Sequence, residues 1–388
     1  MRDRFLNRVQ AKIEDARARL LLRELDCRQS MQAAETTINH QKVVNFTSND
    51  YLGLASDPSV IDRVSRELPV YGFGSGSAAL LSGRSSLHEE LEVRLAAFVG
   101  AESALLFSSG YMANLGAIQA LTSAKDMIFH DKLNHASLID AVIASGAKHK
   151  RYPHCSIPKI PDMNENTDGV PFLLSESVFS MDGDVADLDV LSKTVSSVNG
   201  VFYIDDAHGF GVIGQGKGAG GIIDYRAESS ITIGMIAFGK SLGSLGAAIV
   251  APKEVIALLV QKARTFIYDT ALPPVCCAAA LAALDVIAKK AALRNKLNTN
   301  IEYFRSLAKT SNVPVMHSDT PIQPILVGDE LVALQVAEQL LVDGFYVKAI
   351  RFPTVPKGTA RIRVTLTAAH SRQHIYLLCE KLKAVFAR

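Results

Sequence analysis

From about residue 46 onward the chain alternates short apolar runs with helical patterns, and this alternation restricts it to few folds. Residues 104–107, 127–130, 172–175, 201–205, 231–236 and 246–250 read as strands. Helical periodicity falls between several of them, as at 137–145 and 188–195. Runs of strand, helix, strand predict an α/β fold: a large, mainly parallel sheet with helices on both faces. Pro273 and Pro274 then open an alanine-rich helical stretch reaching towards residue 292, where proline suits the first turn because its missing N–H is not needed.

The texture changes at both ends. Phe5, Val9, Ile13, Ala16 and Leu20 recur at helical spacing, which predicts an amphipathic N-terminal helix whose apolar stripe packs on a second copy of the chain or on the large domain. Beyond residue 315 a strand (322–327), a helix (330–342), strands near 346–350 and 361–367 and a last helix predict a compact α+β unit. The expected division is therefore 1–45, an N-terminal helical segment; 46–285, a large domain; and 286–388, a small C-terminal domain. A chain of 388 residues is long enough for such a division.

Composition excludes some functions. A formal net charge of +2 with no basic tail argues against nucleic acid. No window holds about 18 uninterrupted apolar residues, so no membrane span is expected. Five cysteines fit no zinc spacing, and the charged N-terminus lacks the apolar block of a signal peptide. The expectation is a cytoplasmic protein with reduced thiols.

Three segments could carry chemistry. The strand 201–205 ends in Asp205, Asp206 and, shortly after, His208, at the end of a strand where α/β sheets meet ligands; the same residues would also serve as turn caps. Lys240 follows another strand in a loop with Gly239, Gly243 and Gly246. A lysine among apolar neighbours suits imine chemistry, though a lysine in a surface turn is an equally simple reading. Ser108-Ser109-Gly110-Tyr111-Met112-Ala113-Asn114 stands between a strand and a helix start, where free N–H groups bind anions, though an ordinary capped helix is the simpler reading. His135, also before a predicted helix, is a flat group that would otherwise be a cap. Taken together these residues match the needs of pyridoxal 5′-phosphate (PLP): a lysine for its aldehyde, an acid for its ring nitrogen, an anion site for phosphate and a flat partner for its ring. No metal site is expected.

The chain also resembles the α-oxoamine synthases, PLP enzymes of fold type I. The resemblance rests on NFTSNDYLGL at 45–54, Gly74-Ser-Gly76, Leu81-Ser-Gly83 with His88, VFSMDGD at 178–184, and AIRFPTVPKGTARIRVTLTAAH at 349–370 with PIQP at 321–324. It covers nearly the whole chain. It implies that Lys240 forms the imine with PLP and serves as a base, that Asp205 holds the ring nitrogen, and that His208 and Ser180 contact the phenolic oxygen. By the same resemblance His135 stacks on the ring near Glu176. Gly110 and Tyr111 hold the phosphate, helped by Thr270 from the second subunit of a homodimer. Arg363 would pair with an amino-acid carboxylate, with Asn49 beside it and Arg23 near the acyl chain. The C-terminal segment is most similar to members that condense L-alanine with a pimeloyl thioester, carried by CoA or an acyl-carrier protein, in biotin biosynthesis. Members that join glycine to acetyl-CoA are the neighbouring alternative, and a catalytically silent binding protein of the same fold is a third. Two positions depart from the pattern. Many members carry Thr or Ser where this chain has Ala237, with Ser241 or Ser244 available to compensate, and Ser77-Ala78-Ala79 replaces a bulkier polar residue.

Overall fold

The computed structural model describes residues 2–161, 169–227 and 230–387. They pack as two units. One comprises Asn49–Ser180 and Asp184–Leu297; the other comprises Met1–Ser48, Met181–Gly183 and Asn298–Arg388. The N-terminal segment therefore groups with the C-terminal region.

The larger unit is built on seven strands: β1 (Ser103–Phe107), β2 (Met127–Asp131), β3 (Lys148–Tyr152), β4 (Pro171–Glu176), β5 (Val201–Asp205), β6 (Ile231–Ala237) and β7 (Ala247–Ala251). Their order is β1-β7-β6-β5-β4-β2-β3. Strands β2 to β6 pair in parallel, while β7 lies antiparallel to both β6 and β1. Two reversals cancel, so β1 to β6 all point one way and their carboxyl ends share one edge of the sheet.

Alternation of side chains along each strand explains why the runs are apolar throughout. Phe172, Leu174, Val201 and Tyr203 join a core with Ala113, Ala117, Leu138 and Val142 from helices Gly110–Leu121 and Ala136–Ser145. The intervening Leu173, Phe202 and Ile204 enter a second core with Leu188, Leu191 and Val195 from helix Leu188–Ser196. Burying a Phe or Leu side chain is worth about 1.5–3 kcal/mol, so both faces hold the sheet. Strand β3 escapes sequence reading because Lys148, His149, Lys150 and Arg151 are exposed and carry no apolar period. It is an edge strand, where charge blocks pairing with another chain.

The smaller unit holds two three-stranded sheets. Glu35–Ile38 and Gln41–Asn45 form a hairpin that Phe345–Tyr346 extends in parallel. Ile322–Gly328 and Lys348–Ile350 flank Ala360–Thr365, both antiparallel to it. The single strand expected near 346–350 is thus two strands, because the chain changes sheet at Val347. Helices Glu330–Val342 and Arg372–Phe386 belong to the same unit. The N-terminal helix, Arg2–Ala18, forms as its periodicity predicts, but none of its residues is buried in this chain: Phe5 is 56% and Ile13 44% exposed.

Candidate active site

Every element of the candidate site in the larger unit leaves the same sheet edge. Asp205 closes β5, Glu176 closes β4, His135 follows β2, the Ser109 turn follows β1 and Lys240 follows β6.

The Ser109 turn is a helix start. Ser109 caps helix Gly110–Leu121, its Oγ accepting from Met112 N at 3.2 Å. Gly110 and Tyr111 hold the first turn, whose N–H groups have no partner within a helix and which carries the positive dipole end. A Cβ on Gly110 would lie 3.2 Å from Met235 Sδ and 3.6 Å from Ala237 Cβ, so the turn sits tightly against the end of β6. The Tyr111 ring is 39% exposed, and its hydroxyl donates to Asp140.

His135 caps the next helix, Ala136–Ser145. Its Nδ1 accepts from Ser137 N at 3.2 Å and lies 2.8 Å from Ser137 Oγ. Burial lowers its pKa, opposed by the charge of Asp205 and aided by that of Lys240. A neutral ring with its proton on Nε2 follows. Its backbone N–H donates to Glu176 Oε1 at 2.6 Å. Glu176 is 2% exposed, and burial pushes its pKa well above the usual carboxylate range; Asp205 adds to the rise, while Lys240 and backbone donors from His135 and Ser180 oppose it.

Asp205, which ends β5, and Asp206, which follows it, face different surroundings. Asp205 Oδ2 accepts from Asn114 Nδ2 at 2.8 Å, and its Oδ1 accepts from Ala207 N at 3.0 Å. Asp206 accepts from Ser177 Oγ at 2.6 Å and from Ala219 N at 2.8 Å, and burial raises its pKa to about 7. Gly218, at φ +62°, makes that second pocket possible: a Cβ there would stand 1.9 Å from Asp206 Oδ2. Gly218→Ala is expected to destabilise the protein by about 2–4 kcal/mol, read from denaturant unfolding. An unchanged midpoint would show that the loop relaxes freely.

Lys240 is half-buried in a turn closed by Phe238 N to Gly246 O (2.8 Å) and Gly243 N to Lys240 O (2.9 Å). Its charge acts on His135, Glu176 and Asp206. His208 is buried, with Nδ1 2.5 Å from the hydroxyl of Tyr51, and Asn49 lies within 3.4 Å of the same hydroxyl. Thr270 is exposed and lines a cleft with Ser108, Thr265 and Asp269. Arg363 and Arg23 belong to the smaller unit. Arg363 lies buried in strand Ala360–Thr365 and donates to Thr365 Oγ1 at 3.0 Å, while Arg23 is exposed.

Three residues of this site had no role in the sequence reading. Tyr51, Asn114 and Ser137 are all buried, and Asn114 is fully so. The available signal for Asn114 was a polar side chain on the inner face of an apolar helix, since a buried polar group is the informative exception.

These parts fit PLP. A lysine, a strand-end carboxylate, a neutral imidazole and a helix start with free N–H groups converge on one sheet edge. The departure at Ala237 has a structural consequence. Its Cβ faces the helix start, so a hydroxyl there would add a donor to the anion site. Of the two serines, Ser244 Oγ donates to Cys276 O at 2.9 Å, and Ser241 is buried beside Gly211. Ala237→Thr is expected to tighten PLP binding about tenfold, the effect of one added hydrogen bond to a charged group. A spectroscopic titration with PLP measures it, and equal affinities would place residue 237 away from the phosphate.

His154, Cys155 and Asp184 form a second cluster with metal-type donors. Both imidazole nitrogens already meet carboxylates, Asp131 at 3.0 Å and Asp184 at 2.6 Å. Burial lowers the imidazole's pKa, yet the two carboxylates outweigh it and push the value up to about 12, so the group is an ion-paired imidazolium. Among the described residues, no helix is long and apolar enough to cross a membrane.

Comparison with known proteins shows the family of this chain. Residues 41–382 match the family model for class I and II aminotransferases. The 8-amino-7-oxononanoate synthase of Thioalkalivibrio sulfidiphilus is 41% identical over 377 residues, covering 96% of each chain. The crystal structure of the 8-amino-7-oxononanoate synthase of Francisella tularensis is 30% identical, with a TM-score of 0.74, over 89% of this chain and 98% of that one. The serine palmitoyltransferase of Sphingomonas wittichii is 25% identical with a TM-score of 0.88, over 99% of this chain and 97% of that one. The chain thus belongs to the class I and II aminotransferase family, of PLP fold type I, and within it to the 8-amino-7-oxononanoate synthases, which are PLP-dependent acyltransferases.

Proposed function

We propose that the protein condenses L-alanine with a pimeloyl thioester, carried by CoA or an acyl-carrier protein, to give 8-amino-7-oxononanoate, carbon dioxide and free thiol in biotin biosynthesis. The observation that carries this reading is the near-full-length similarity to 8-amino-7-oxononanoate synthases, over a chain whose sheet edge assembles Lys240, Asp205 and His135. The reaction joins the Cα of alanine to the acyl carbonyl, expels the thiol and loses the amino acid's carboxyl group as carbon dioxide. When bound, PLP supplies the electron sink for the charge left on Cα.

The chain's own residues supply the rest. Lys240 Nζ takes the proton from Cα, a task for an amine held among other charged groups. Asp205 would accept a hydrogen bond from the ring nitrogen of PLP and stabilise positive charge there. The neutral His135 ring would lie against the cofactor face, with Glu176 holding its backbone, and His208 and Ser180 would meet the phenolic oxygen. The N–H groups of Gly110 and Tyr111 receive the phosphate. Arg363 binds the alanine carboxylate, and Asn49 and Arg23 complete the alanine and acyl subsites. The protein acts as a cytoplasmic homodimer, with Thr270 of the partner subunit at the phosphate and the exposed apolar stripe of Arg2–Ala18 available for the second copy.

Steady-state kinetics test the assignment with L-alanine, glycine and L-serine, each against pimeloyl-CoA, pimeloyl-carrier protein, acetyl-CoA and palmitoyl-CoA. The structural likeness to a serine palmitoyltransferase motivates the serine and palmitoyl arms. The alanine and pimeloyl pair is expected to give the highest kcat/KM, with the product confirmed by mass. A higher kcat/KM for glycine with acetyl-CoA would replace this reading.

A further inference from the structure

Helix Gly110–Leu121 does more than present its first turn to an anion. One turn further on, Asn114 is fully buried, and its amide is used on both sides. Oδ1 accepts from the Tyr203 hydroxyl at 2.8 Å. Nδ2 donates to Asp205 Oδ2 and to Ser137 Oγ, each at 2.8 Å. An asparagine amide has two N–H donors, and here each meets a different part of the site.

The direction of these bonds sets the state of the next group. Ser137 Oγ receives a hydrogen from Asn114, so its own hydrogen points to His135 Nδ1, 2.8 Å away. The Ser137 backbone N–H aims at the same nitrogen. A ring nitrogen that receives two hydrogens carries none, which places the imidazole proton on Nε2. On the other branch, Asp205 is left with its carboxylate plane fixed between Asn114 Nδ2 and Ala207 N. Tyr203, two residues before Asp205 on the same strand face, anchors the amide from behind and prevents its flip.

We propose that Asn114 is a positioning residue, which through its two N–H groups sets both the orientation of the Asp205 carboxylate and, by way of Ser137, the tautomer of His135. It touches neither the cofactor nor the substrate in this role. The inference rests on the PLP reading of the site and adds the device that keeps an acid and a ring-stacking base in register. A purely structural asparagine would satisfy buried polar groups and stabilise the fold, leaving the properties of the bound cofactor unchanged.

The test uses the PLP-loaded full chain and compares wild type, Asn114→Leu and Ser137→Ala. Four quantities are read: thermal midpoint, PLP affinity, the pH midpoint of the lysine-bound cofactor's absorbance, and kcat and KM for the amino acid. In Asn114→Leu the absorbance midpoint is expected to rise by about one pH unit, because a carboxylate that loses a donor favours the protonated cofactor more strongly. Turnover should fall roughly 10–100-fold, the usual consequence of misplacing a reacting geometry, with KM within about threefold. Ser137→Ala, which removes only the relay to His135, should lower kcat by less and leave the absorbance midpoint within about 0.3 units. Should Asn114→Leu fail to fold, Ser137→Ala carries the decision: wild-type kcat there would overturn the relay. An Asn114→Leu enzyme with a lower melting point but wild-type absorbance titration and kcat would overturn the proposal. Wild-type protein that shows no lysine-bound absorbance with PLP would instead overturn the PLP reading beneath it.

Discussion

Replacing Lys240 with alanine is expected to lower turnover by at least about 10⁴-fold while leaving the fold intact. Proton transfer by a positioned side chain contributes typically about 10²–10⁴-fold, and in the proposed reaction the same amine also attaches the cofactor. The turn itself depends on backbone bonds, Phe238 N to Gly246 O and Ser244 N to Phe238 O, which an alanine keeps. Stability should therefore change by less than about 1 kcal/mol. The ammonium has a second effect, since it favours the ionised forms of the buried Glu176 and Asp206. Its removal takes away a charge that lowers both pKa values, so both shift further upward. Two measurements decide the matter: turnover with alanine and a pimeloyl thioester, and the visible absorbance of PLP-loaded protein. A Lys240→Ala enzyme that turned over at the wild-type rate would end the assignment of this lysine.

Asp205→Asn carries the second largest expected loss, about 10³-fold in kcat, with PLP still retained through the helix start at Gly110 and Tyr111. Removing an oriented electrostatic partner costs about 10²–10³-fold in enzymes where it has been isolated. The hydrogen bonds here deepen the loss. A carboxylate accepts at both oxygens, but an amide accepts at one and donates at the other. With its oxygen on Ala207 N, the new NH₂ would face Asn114 Nδ2, donor against donor. Asn114 could turn only by losing its bond from Tyr203. A buried polar group left without a partner costs about 1–3 kcal/mol, so the variant should also unfold earlier. His135 loses the charge that opposed its burial and stays neutral. The check is kcat beside PLP affinity and unfolding midpoint; a kcat within tenfold of wild type would remove Asp205 from its place at the ring nitrogen.

Several parts of this site could be read without coordinates because each is local. Asp205 ends an apolar run, Lys240 sits among glycines after another, and Ser109-Gly110 precedes a helix. Strand and helix ends are written in neighbouring residues, and parallel sheets put their ligands at strand ends. Edge strand β3 was not legible, since its exposed Lys148 to Arg151 leave no apolar pattern for a reader to find. The break at Val347 was hidden for a different reason, because a change of sheet has no composition of its own.

The sequence alone determined the α/β class and placed Lys240 and Asp205 at strand ends, since apolar period, turn glycines and residue type act over a few positions. Only the tertiary structure decided how they cooperate. Ser137 and Asp205 lie 23 and 91 positions after Asn114 along the chain, yet both meet its amide at hydrogen-bond distance. It also parted Asp205 from Asp206, adjacent residues at the end of β5 and just beyond it, one bonded to the amide of Asn114 and the other set in the pocket that Gly218 leaves open. Direction and pairing of this kind depend on which strands and helices become neighbours, and no local pattern encodes that.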